Sequence, residues 1–148
     1  MTRLFSVYGD SISSFEGILP QGWRVFFEGE QLELTGVKTP HDTWWGQVID
    51  HFDGQFLANA SWSGCVVEGR DFPVGASAER IEHLQADGRT PDDILVHIGI
   101  NDYGWGGAEA QAAGRSHAMP RCIDPATVPE QIAGAAPADA VKRFGAAY

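Results

Sequence analysis

The stretch Leu4-Phe5-Ser6-Val7-Tyr8-Gly9-Asp10-Ser11 decides the reading of this chain. Residues 3–8 form a short strand-like run that ends abruptly in a small polar turn. Two later segments repeat that pattern. Gln55-Phe56-Leu57-Ala58-Asn59-Ala60 leads into Ser61-Trp62-Ser63-Gly64, and Ile94-Leu95-Val96-His97-Ile98 leads into Gly99-Ile100-Asn101-Asp102. Helical spacing fills the intervals. Trp44, Val48, Ile49 and Phe52 form an i, i+4, i+5, i+8 stripe, with Asp42 or Thr43 as its cap and Gly54 as its stop. Ser77 opens a second helix with Ile81 and Leu84 on one face and Gly88 as its stop. Strand and helix in alternation predict an α/β fold with a parallel sheet covered on both faces. The continuous apolar run 94–98 reads as a strand buried on both sides, with His97 packed in the core.

Other segments are less regular. Trp23-Arg24-Val25-Phe26-Phe27 and Gln31-Leu32-Glu33-Leu34 read as a small hairpin around Glu28-Gly29-Glu30. Residues 104–137 are mostly Gly, Ala and Pro without a period, a length that marks a functional or mobile loop. Asp139 opens a last helix with Val141, Phe144 and Tyr148 on its face.

Composition narrows the function. The 148 residues suit a single domain, 1–148, and 43% hydrophobic residues with five Trp exclude a disordered chain. Asp and Glu outnumber Lys and Arg by 20 to 10, for a formal charge of −10, so no basic surface awaits a nucleic acid. No apolar run is long enough to span a membrane. The N-terminus lacks the pattern of a signal peptide, which reads as cytoplasmic. Cys65 and Cys122 fit neither a disulfide framework nor a zinc site, and no cofactor or metal is expected.

In open parallel sheets, chemistry gathers at the carboxyl ends of the strands, where all three polar turns fall. A serine at such an end can attack a carbonyl carbon once a base takes its proton. The oxyanion that forms needs fixed donors, and the N–H groups of Ser11 and Gly64 and the amide of Asn101 are candidates. Trp62, Tyr103 and Trp105 flank these turns and are candidates to line an acyl or sugar pocket.

With these residues in place, the chain resembles the SGNH hydrolases, also called GDSL esterases/lipases. The resemblance spans roughly residues 3–103, through Gly9-Asp10-Ser11, Gly64, and Gly99-Ile100-Asn101-Asp102. It implies a flavodoxin-like three-layer α/β/α sandwich. It also implies an esterase with Ser11 as nucleophile and Ser11, Gly64 and Asn101 as the oxyanion hole. The Gly-x-Ser-x-Gly elbow of the α/β-hydrolases is absent.

The family's Asp-x-x-His block, which supplies the base and its orienting acid, is absent too. The sandwich is therefore expected to be incomplete at its C-terminal side, with the third strand left as an apolar edge. Its Asp and His would come from a following segment or from a second chain. Among the five histidines, only His117 lies in a loop able to swing over the crevice; His41 reads as a surface residue, and His51 and His83 as helix positions. A small-molecule ester is the expected ligand. A ligand-binding remnant without catalysis and an acyltransferase are the alternatives.

Overall fold

The computed structural model describes residues 2–67, 72–75 and 77–105. They fall into two units, Met1–Cys65 with Ala78–Ile98, and Val66–Ser77 with Gly99 onward. The 104–137 loop beyond residue 105, the helix from Asp139, Cys122 and His117 lie outside the described residues.

The first unit is built on three parallel strands, β1 (Leu4–Gly9), β2 (Gln55–Asn59) and β3 (Asp93–His97), in the order β2-β1-β3. β1 is central because its side chains suit burial on both faces, with Phe5, Ser6, Val7 and Tyr8 all buried. Phe5 and Val7 join Trp45 and Ile49 of helix α2 (Trp44–His51) in one core cluster. Tyr8 joins Ala60 and Leu84 in another. Ser6 has no apolar surface to offer, and its hydroxyl instead donates to the Leu84 carbonyl at 2.8 Å. The sheet therefore carries packing on both faces, the flavodoxin-like parallel α/β arrangement.

Helix α2 starts where its sequence signal places it. Thr43 is nearly buried, and its hydroxyl accepts from the Gly46 N–H at 3.0 Å, satisfying one of the free donors of the first turn. Asp42 serves the preceding short 3-10 turn (Pro40–Asp42), where it and Thr39 form a reciprocal capping box.

Three expectations need correction. No hairpin forms at 23–34. Glu30–Thr35 is a helix, α1, bracketed by Gly29 and by Gly36 in the left-handed region at φ 75°, while Phe27 makes a parallel bridge to Phe15. The helix after Ser77, α3 (Ala78–Glu82), turns Ile81 outward and buries Arg80 completely. β3 is not covered on both faces. Among the described residues it pairs with β1 alone, and Ile94 and Val96 are about half exposed, at 47% and 49%.

The second unit holds a short helix, α4 (Ile100–Trp105), preceded by Gly99. Within it, both carboxylate oxygens of Asp102 accept from the Val67 N–H, at 3.0 and 2.9 Å. Asp102 is thus a structural acceptor that pins residue 67 to the start of the helix. No helix among the described residues is long and apolar enough to cross a membrane.

Candidate active site

β1 ends because Gly9 leaves no room for a side chain. A Cβ there would sit 2.2 Å from Ser13 Oγ and 2.8 Å from the His97 carbonyl oxygen. The chain turns at Asp10 into one 3-10 turn, Ser11–Ser13, which places half-buried Ser11 immediately past the central strand. Two bonds hold that turn from beneath: the Ser13 carbonyl accepts from Trp45 Nε1 at 3.0 Å and from Asn59 Nδ2 at 2.8 Å. Ser13 Oγ accepts from Trp44 Nε1 at 3.0 Å.

The loop after β2 comes to the same end of the sheet. The Trp62 N–H donates to the Gly9 carbonyl at 3.1 Å, and the Ser63 N–H donates to the Arg24 carbonyl at 2.9 Å. Gly64 has φ +83°, a left-handed conformation in which an N–H can face a ligand without a Cβ in the way. The turn of Ser11 and the loop of Gly64 are thus joined through one carbonyl, that of Gly9.

Asp10 and His97 share this rim. Asp10 is fully buried, and neither carboxylate oxygen completes a hydrogen bond among the described residues. Burial pushes its carboxyl above the ordinary carboxylate range, against the opposing pull of His97, of the Ile12 and Asp10 amides and of Arg80. His97 is not a core residue. It ends β3, is 43% exposed, holds its Nδ1 4.0 Å from Asp10 Oδ1, and lies against Trp44 with ring centroids 5.6 Å apart. At 4.0 Å the contact is too long for an orienting hydrogen bond.

Ser11, Gly64 and Trp62 belong to the first unit, where Trp62 packs edge-on against Trp23 at 5.7 Å and Trp23 against His83 at 4.9 Å. Asn101 belongs to the second unit as a buried residue of α4, and Tyr103 and Trp105 follow it in that helix. The other described histidines are surface groups: His41 pairs with Asp50 at 2.8 Å, and His51 lies against Phe52. Cys65 is buried, and its Sγ donates to the Gly9 carbonyl at 3.4 Å. No group of side chains suited to hold a metal ion occurs among the described residues.

The family model for GDSL-like lipase/acylhydrolase matches residues 3–119. The chain belongs to this family. A crystal structure described as a GDSL-like lipase from Bacteroides ovatus is similar, with a TM-score of 0.54 and 25% identity over 70% of this chain. The GDSL-like chain spans 51% of that protein's length. No curated protein matches.

Sequence reasoning missed Arg80 and misplaced His97. No local signal marks Arg80 for burial, since a charged residue reads as solvated.

Proposed function

We propose that this chain carries the nucleophile and oxyanion-binding part of a serine ester hydrolase. Ser11 Oγ attacks the ester carbonyl carbon as a base takes its proton. The tetrahedral oxyanion collapses with loss of the alcohol, and water then releases the acid from the acyl-enzyme. The observation that carries this reading is the link at Gly9, whose carbonyl ties the Ser11 turn to the loop in which Gly64 is left-handed. The N–H groups of Ser11 and Gly64 supply two donors, and the family resemblance assigns the third to Asn101. Each such donor stabilises the transition state by roughly 2.7–4 kcal/mol. Trp62 on its Trp23 support lines the acyl or sugar side of a carboxylic or carbohydrate ester.

The base and its acid come from a C-terminal segment or a second chain that supplies Asp and His. His97 is the in-chain competitor, and the long contact with a carboxyl that burial keeps toward its neutral form argues against it.

The test is cleavage of p-nitrophenyl acetate and of an acetylated sugar by the chain, alone and with the completing segment. Ser11→Ala is expected to abolish cleavage, and His97→Ala to leave it. Ligand affinity retained without turnover in both wild type and Ser11→Ala would replace this reading with the binding remnant. Preferred transfer to an added alcohol would make it an acyltransferase.

A further inference from the structure

The guanidinium of Arg80 on α3 is buried against the ends of two strands. Arg80 is 0% exposed, and its guanidinium reaches two strand ends at once. Nε donates to the Ala60 carbonyl at 2.9 Å and Nη2 donates to the Gly9 carbonyl at 2.7 Å, while Cζ lies 4.3 Å above the Tyr8 ring. Ala60 directly follows β2, and Gly9 ends β1. Two residues beyond Gly9 is Ser11, and four beyond Ala60 is Gly64.

The Gly9 carbonyl gathers three donors, since it also accepts from the Trp62 N–H at 3.1 Å and from the Cys65 thiol at 3.4 Å. A carbonyl has two lone pairs, so the strong, charge-assisted bond to Arg80 dominates its placement. Only a planar fork with donors on different edges can hold two carbonyls in fixed relation; an ammonium is a single point.

We propose that Arg80 is a positioning residue for ester cleavage. Through the Gly9 and Ala60 carbonyls it sets the spacing between the turn that presents Ser11 and the loop that presents Gly64. The proposal deepens the hydrolase reading and rests on it for the catalytic consequence. The bracing itself is a statement about the loop. A residue that only filled the core would loosen the whole sheet when replaced. A residue that sets a spacing would loosen the loop and lower turnover while substrate binding stays.

The experiment compares wild type, Arg80→Lys and Arg80→Gln, each with the completing segment that supplies Asp and His, by amide hydrogen exchange and steady-state cleavage of p-nitrophenyl acetate. Exchange at the Trp62 and Cys65 amides is expected to quicken by about tenfold or more, the loss of one hydrogen bond's protection, with the central amides of β1 and β2 unchanged. The value of kcat is expected to fall by a similar factor at unchanged KM. Unchanged exchange in the loop overturns the proposal. So does equal loosening of loop and strands, a rise in KM alone, or failure of both variants to fold, since Arg80 would then hold the fold rather than the spacing. Absence of any Ser11-dependent cleavage in wild type refutes the hydrolase reading alone, and the exchange pattern still decides the bracing.

Discussion

Replacing Gly9 by alanine isolates the crowding at the end of the central strand. Gly9 is not in the left-handed region, so alanine adds no backbone strain there and its whole effect is steric. The new Cβ would lie 2.2 Å from Ser13 Oγ, 2.5 Å from Ser13 Cβ and 2.8 Å from the His97 carbonyl oxygen. Ser13 cannot swing aside freely, because it is fully buried and its Oγ holds Trp44 Nε1. The His97 carbonyl belongs to β3 and accepts the Asp10 N–H at 3.2 Å, so moving it opens the β1–β3 ladder. With no movable neighbour, the cost falls at the upper end of overpacking, about 3 kcal/mol. At a urea slope of about 2 kcal/mol/M, the midpoint drops by roughly 1.5 M. Urea unfolding followed by Trp fluorescence reads it directly. Gly36→Ala is the control: its Cβ meets nothing within 4 Å, and only the left-handed φ of 75° penalises it, by about 1 kcal/mol. If Gly9→Ala costs no more than Gly36→Ala, crowding does not set this strand end, and the close approach of Ser13 and His97 to Gly9 is not a constraint.

Two further outcomes follow from the same region. Asp10→Asn removes a carboxylate whose charged form is disfavoured by burial, so the folded protein is expected to gain stability at pH 7. Because the folded-state pKa lies above the unfolded one, the gain shrinks as pH falls through the raised value toward 3.8, and urea midpoints at pH 7 and pH 4 check it. A gain that grows on acidification would reverse the sign and refute the desolvation account. Thr43→Ala removes the cap of α2 and is expected to cost about 1–2 kcal/mol, measured by the same unfolding curve.

The legible part of this fold was the part in which pattern and packing agree. The strands β1 and β2 and helix α2 carry their burial in their own sequence, through Phe5 and Val7, Leu57, and Trp45 and Ile49. Residues 31–34 alternate over only four positions, too few to separate a strand from a helix. The flanking Gly29 and Gly36, with Glu30 and Glu33 in the first turn, were the better signal, one of helix ends. Ile98 made the third strand look one residue longer than it is and so drew His97 inward, whereas the strand stops at His97 and leaves it at the rim. Arg80 was illegible for a different reason. Its burial depends on two carbonyls more than 19 residues away in sequence, Ala60 and Gly9, and no local rule brings them to it.

The sheet order has a consequence for how the chain comes into being. β1 sits in the middle, yet both of its neighbours are made after it. Leu4 donates its N–H to the Asp92 carboxylate across 88 residues of sequence. At a synthesis rate of about 5–20 residues per second, β1 waits roughly 4–18 seconds for β3 to emerge. Through that interval a strand of the composition Leu-Phe-Ser-Val-Tyr stands with at least one edge open, beside a ribosome and everything else that binds an unpaired strand. The nascent chain, more than the finished one, is therefore where this protein should depend on a holding chaperone.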